Sequence, residues 1–496
     1  MAVSFNNIPA GNGIKTPLFF AEFDQSAANT ATASMRRLIV ASVNDDATAP
    51  EIGSLTLCSS LAEARRIGGL GSMLATMYET WRANDPMGEV WVLPLKLSEG
   101  VASTGSIKIT GTATESGLLS VYLGGHLVQC TVTDKMTADN LGKALEDAIN
   151  AEITLPVKAK NTTGTVALTC KFKGVLGNDI AIEMNRLGQS NGQVTPSGLS
   201  IEITKMASGT GAPKSADIAS AIGDEGFEFI CQPWTDTESL DGWKDIMNDA
   251  SGRWSYTKML FGHVYSAMRG TVSELVTAGQ KRNDQHMTIV GVEKDIPNTL
   301  YDFISAYTAR QAVFISADPA RPTQTGILVG ISPSQASNRW KLEERNTLLG
   351  YGIATSYYGG GNVCIERAIT TYQKNSYGQP DNSYMDSETM HTLAYIVNFL
   401  KSRITSKFGR HKLANDGTRF GPGQAIVTPK IVKGELIACY NKLEELGLVE
   451  NAEQFEANLI VERDTVNVNR INVLLPPDLV NQLRIFALLC QFRLQY

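Results

Sequence analysis

Four kinds of residue in this chain could do chemistry. A glycine-rich turn, Gly68-Gly69-Leu70-Gly71, precedes a helical run and could cradle a phosphate on backbone N–H groups. No Lys-Ser or Lys-Thr pair follows it and its glycine spacing is not that of a dinucleotide site, so it reads as a loop that starts a helix. His126, His263, His286, His391 and His411 stand apart. None lies four residues from another histidine with a carboxylate between, as a helix-borne zinc site requires, and they read as surface or hydrogen-bonded core histidines. There is no G-x-S-x-G elbow and no serine in a nucleophile context beside a histidine-bearing motif. Glu366 and Arg367, in IERAITT, are the most tempting charged pair, but strand neighbours face opposite ways, so they read as packing or interface charges. The seven cysteines (Cys58, Cys130, Cys170, Cys231, Cys364, Cys439, Cys490) form no C-x-x-C pair and read as reduced core residues of a cytoplasmically made protein. No catalytic residue, cofactor or metal is expected.

The elements that would have to position such residues point elsewhere. A chain of 496 residues holds several domains and can bury a large core. With 44 lysines and arginines against 50 acidic residues and no basic block, nucleic acid is not an expected partner. Neither a signal peptide nor an apolar run long enough to span a bilayer is evident, so a soluble chain without membrane insertion is expected.

Residues 1–35 read as an arm and lead-in, with Val3, Phe5 and Ile8 as apolar anchors and Leu18, Phe19, Phe20 and Phe23 as a second group. Residues 36–99 and 208–318 alternate strands with amphipathic helices and form two halves of one α/β core, a mainly parallel sheet with helices on both faces. Strands are predicted at Leu38–Val43, Val90–Leu95, Phe227–Cys231, Lys258–Val264 and Met287–Val292. Between the halves, residues 100–207 are rich in Thr, Val and Gly and read as an inserted β-rich outer domain, with Gly124-Gly125 a hairpin tip. Residues 319–455 read as an inner α+β part. In it a hairpin turns at Gly359-Gly360-Gly361, and helices run over 386–408 and 430–446.

Residues 456–496 read as two extended segments and a helix that cannot satisfy themselves alone. Leu459 and Val461 share one parity, Val466 and Val468 the other, and Ile471, Val473 and Leu475 return to the first, which requires a bulge or corner near Asp464 and again near Asn469 and Arg470. After Pro476 and Pro477, Leu479, Leu483, Phe486 and Cys490 recur at helical spacing, with only Asn481, Arg484 and Gln491 as a polar stripe. Such a segment either closes this chain's own core or docks on another surface.

Several runs resemble the contractile tail sheath proteins of Mu-like phages: DPARPTQTGIL (Asp318 to Leu328), ERNTLLGYGIAT (Glu344 to Thr355), VCIERAITTYQKNSYGQPDNSY (Val363 to Tyr384) and NRINVLLPPDLVNQLRIFALL (Asn469 to Leu489). SFNNIP near the start, PLFFAEFDQSAA (Pro17 to Ala28) and GVLGNDIAI (Gly174 to Ile182) extend the likeness over nearly the whole chain, in order. The resemblance implies a non-enzymatic virion protein, made in the host cytoplasm, that stacks with copies of itself around a tail tube and contracts to drive the tube through a cell envelope. It implies a core of subtilisin-like architecture, an outward-facing insert, and tail tube, baseplate and tail terminator proteins as partners. It also implies strand exchange through two arms, which places Val3, Phe5 and Ile8 in one and Leu459, Val461, Ile471, Val473 and Leu475 in the other. A sheath must touch its tube weakly enough to slide, which favours charged contacts; Lys401, Arg403, Lys407, Arg410 and Lys412 are the candidates. The competing reading is a subtilisin-like or nucleotide-using α/β enzyme.

Overall fold

Successive side chains of a strand point to opposite faces, so a strand buried at every position must be covered on both. Arg37–Ser42 and Met287–Val292 are of this kind, and both lie in a six-stranded sheet. The structure, a computed structural model, describes residues 35–494, and the expected arm with Val3, Phe5 and Ile8 lies outside them. The sheet runs Met287–Val292, His263–Arg269, Phe229–Cys231, Arg37–Ser42, Val90–Leu95, Thr56–Leu57. Every pairing is parallel except that of the short edge strand Thr56–Leu57, which is antiparallel. Helix Met73–Asn84 packs on Arg37–Ser42, and helix Leu300–Ala317 packs on that helix and on the central strands. Side-chain oxygens start these helices: Ser72 accepts from the amide of Ala75, and Thr299 from that of Asp302.

The strand expected at Lys258–Val264 instead occupies His263–Arg269. Met259, Leu260 and Phe261 carry the apolar signal, yet the strand is built on His263 and Ser266, polar residues that are fully buried on hydrogen bonds.

Between Val90–Leu95 and Phe229–Cys231 the chain forms two antiparallel sheets. One runs Leu199–Ala207, Ala102–Gly111, Thr165–Lys173, Val157–Thr162, and the other His126–Val132, Gly117–Leu123, Ile182–Met184. Helix Ala138–Ala151 packs against both. Burial alternates along Ala102–Gly111 and Thr165–Lys173, so each has one covered and one solvent face. Gly124 and Gly125 supply the positive φ angles, 57° and 87°, of a tight hairpin turn. The two ends of this stretch bond to each other, Val101 N to Thr210 O at 2.9 Å and Thr210 N to Val101 O at 3.1 Å.

Asp179 fastens these sheets to the core. Its carboxylate accepts from Arg269 Nε at 2.6 Å and from the first helical amide, Leu300 N, at 2.7 Å. Arg269 is saturated by the carbonyls of Glu293, Ile296 and Asn298.

Beyond the core sheet, Thr355–Gly359 and Asn362–Arg367 form the expected hairpin, with Gly360 and Gly361 in its turn. Helices Ser387–Phe408, Pro429–Glu445 and Ala452–Asn458 follow, and then a second hairpin, Ile460–Arg463 with Ile471–Leu474. The corner expected from the parity changes is the turn between these two strands. Among the described residues no helix forms after Pro477, contrary to the reading of Leu479, Leu483, Phe486 and Cys490 as one face. A short helix apolar on three sides is marginal unless several surfaces cover it. No helix among the described residues is long and apolar enough to cross a membrane.

Candidate assembly interface

The terminal hairpin stands on a cluster of its own. Ile396, Val432, Leu436, Tyr440, Leu443 and Phe455 are buried together, with the rings of Tyr440 and Phe455 stacked 3.6 Å apart. Leu459 is buried in this cluster, and Val461, Ile471 and Leu475 pack partly against it. Val473, expected beside them, is 44% exposed, as Ile460 and Leu474 also are at 51% and 60%. The hairpin is two-stranded, so each strand keeps an edge unpaired among the described residues. Such an edge is a template for another strand.

From Leu475 the chain runs without regular structure over its own body. Glu450 N bonds to Asp478 O at 2.9 Å, Asp478 N to Tyr440 Oη at 3.1 Å, and Val480 N to Leu448 O at 3.3 Å. Gln482 Nε2 reaches Ala320 O at 3.1 Å. Arg484 then turns inward. Its Nη2 lies 2.9 Å from Asp386 Oδ1 and 3.3 Å from Glu388 Oε1, and its Nη1 donates to Gln324 Oε1 at 3.2 Å. Asp386 precedes helix Ser387–Phe408 in the capping position but does not cap it; its carboxylate receives Arg367 at 2.8 and 2.9 Å as well. Past Arg484 the side chains of Ile485, Phe486, Leu488, Leu489, Phe492 and Leu494 are 78–92% exposed. An apolar run this long left in water marks a contact surface.

The five basic candidates do not form one group. Arg403 Nε lies 2.7 Å from Glu435 Oε1 and Lys407 pairs with the other oxygen, so both neutralise a carboxylate that is nearly buried. Lys401 and Arg410 are exposed, and Lys412 reaches only Gln424 Oε1, at 3.3 Å.

The residues that could have done chemistry are used in packing. Asn44 Nδ2 and Lys171 Nζ donate to Leu70 O, and a Cβ at Gly71 would lie 2.2 Å from Leu155 O, so protein fills the space of the glycine turn where a phosphate would sit. Glu366 accepts Arg345 at 2.9 and 3.0 Å and Thr355 Oγ1 at 2.8 Å, while Arg367 faces Asp386, which puts the neighbouring charges on separate partners. His126 and His411 are exposed. Their isolation along the chain hid one grouping: His263 and His391 stand 5.6 Å apart between ring centres, with His263 Nε2 on Thr288 Oγ1 at 2.8 Å and His391 Nε2 on Tyr265 Oη at 2.9 Å. Burial pushes the His391 imidazole down to about 3, and burial with a second imidazole nearby holds His263 well below its ordinary range. Among the described residues no three His, Cys, Asp or Glu side chains gather as metal ligands would.

Known proteins resemble this chain along its length. Residues 208–371 match the family model described as phage tail sheath protein central domain, and residues 379–493 the one described as phage tail sheath C-terminal domain. The tail sheath protein of the Mu-like prophage FluMu of Haemophilus influenzae is 41% identical over 495 residues, which is 99% of this chain and 100% of the relative. Solved sheath tail proteins of Desulfitobacterium hafniense and Listeria innocua align at TM-scores of 0.49 and 0.46, each with 12% identity. They cover 94% and 90% of this chain, and 97% and 92% of their own.

Proposed function

We propose, starting from a chain that belongs to the phage tail sheath protein family and is of the Mu-like kind, that its subunits polymerise around a tail tube by exchanging terminal strands. The observation that carries this reading is a mismatch within one subunit: a hairpin whose outer edges are unpaired among the described residues is followed in the chain by an apolar tail that lies exposed. A strand added from a neighbour would bond to the free edge, and its alternate side chains would add to the cluster behind it. Each Val, Leu, Ile or Phe fully buried in this way stabilises the joint by about 1.5–3 kcal/mol, so a few per arm suffice to link subunits. The N-terminal arm with Val3, Phe5 and Ile8 would fill the other edge.

Contraction on this reading is a slide between two lattices. Main-chain bonds in a shared sheet tolerate rotation of the bodies on either side, so subunits can move without parting, from a metastable extended state to one that buries more surface. The β-rich stretch 100–207 would form the outer domain. The exposed Lys401, Arg410 and Lys412 would face the tube, with Arg403 and Lys407 behind them. Baseplate and terminator proteins would cap the ends of the polymer, and the α/β core, subtilisin-like in architecture, would serve as scaffold in a virion tail assembled in the host cytoplasm. Negative-stain electron micrographs of the purified chain test the reading. Tubes of uniform diameter are expected, whereas a chain that stays monomeric at high concentration, in both low and high salt, would contradict it.

A further inference from the structure

Three stretches far apart in sequence meet where the tail leaves the body. Gln324 and Ala320 come from the connector after helix Leu300–Ala317, Asp386 and Glu388 from the start of helix Ser387–Phe408, and Gln482 and Arg484 from the tail. Glu388 is fully buried. Its Oε1 already accepts Thr323 N at 3.0 Å and Thr323 Oγ1 at 2.8 Å, and Arg484 brings it a cation at 3.3 Å. A carboxylate removed from water needs such a partner, and a planar guanidinium can serve two carboxylates at once. Before Arg484 the tail is tied to the body by the bonds of Glu450, Tyr440, Leu448, Ala320 and Gln324. Beyond it no hydrogen bond to the body occurs among the described residues.

We propose that Arg484 is an ionic clasp: seated on Asp386 and Glu388, it fixes the point from which the apolar segment Ile485–Leu494 departs toward a second copy of this chain. The exchanged element is therefore the last stretch after Arg484, and the segment from Leu475 to Arg484 stays with its own subunit. At roughly 3.3 Å per residue the stretch Ile485–Leu494 alone can reach about 30 Å from the clasp. The assembly role of the clasp rests on the sheath reading; the clasp itself does not.

The test compares wild type with Arg484→Met, Arg484→Lys, the double variant Arg484→Met with Glu388→Gln, and Arg493→Met as a control outside the clasp. Limited chymotrypsin digestion of unassembled full-length protein, read by mass spectrometry, locates the anchored end. Wild type and Arg493→Met should be trimmed only as far as Phe486. Arg484→Met and the double variant should be trimmed to Leu483, Leu479 or Leu475, and Arg484→Lys should fall between. The double variant removes the buried charge together with its partner, so its digest separates loss of the clasp from the cost of leaving Glu388 buried and unpaired. Identical trimming of wild type and the double variant would overturn the clasp. In parallel, tube yield at the concentration that half-assembles wild type should fall about ten-fold or more in the double variant, the loss expected from one buried charge-assisted pair. Released tails with undiminished tube yield would overturn the assembly role. Wild type that forms no tubes would refute the sheath reading, while the digests still decide whether the clasp exists.

Discussion

His263, in the core sheet, and His391, in helix Ser387–Phe408, lie side by side, each almost wholly out of water. An unfolded imidazole protonates near pH 6.5, whereas burial holds His391 down to about 3. Between these values the unfolded chain binds a proton that the folded one refuses, so stability is complete above about pH 6.5 and is lost as pH falls toward 3. At pH 4.5 the share of His391 alone is about 2 to 3 kcal/mol. Melting temperature should therefore drop on acidification, and His391→Gln, which keeps a polar group near Tyr265 Oη, should flatten the acid branch; equal slopes for the two proteins would refute the assignment. A second residue-scale outcome separates the basic candidates. Arg403→Glu puts a negative charge against the nearly buried Glu435 and should cost about 2–4 kcal/mol in urea unfolding. Lys401→Glu, at an exposed site, should stay within about 0.5 kcal/mol and change only the hold on a tube.

At the scale of elements, Asp179 ties the β-rich sheets to both Arg269 and the first turn of helix Leu300–Ala317, largely away from solvent. Asp179→Asn should destabilise the chain by about 2–4 kcal/mol in urea, and a loss under about 0.5 kcal/mol would show that the junction is loose. Because Val101 and Thr210 are hydrogen-bonded to each other, a short Gly/Ser linker can replace residues 100–207 without stretching the core. The shortened chain, with Arg269→Met to remove the orphaned charge, should fold and still form tubes; a folded chain without tubes would place lattice contacts in that stretch. The sequence was most legible where one period ruled. Val90–Leu95 and Met287–Val292 are legible to the residue because every position is apolar or buried, and Gly360 and Gly361 because their turn needs positive φ. It is least legible where tertiary partners decide: Val157–Thr162, with lysines at alternate positions, carries no apolar strand signal, and the four-three-four spacing after Pro477 predicts a helix where the described chain is irregular. The Arg484 pocket left no local signal, since its acidic residues lie about a hundred positions upstream.

At the scale of the molecule, two classes of arm residue must be distinguished. Leu459, Val461, Ile471 and Leu475 pack on their own subunit's cluster, so Ile471→Asp would damage the subunit as well as any joint. Phe486 and Leu489, more than four-fifths exposed, touch little in the isolated chain and are free to serve a neighbour. Their substitution therefore reads connectivity without reading folding. The decisive measurement is sedimentation velocity, under tube-forming conditions, of the Phe486→Asp, Leu489→Asp double variant, with circular dichroism as the check on its fold. If terminal arms link the polymer, this variant melts like wild type and sediments as a monomer or small oligomer. Long tubes formed as readily as by wild type would show that the globular bodies hold the sheath together and that the tail does not.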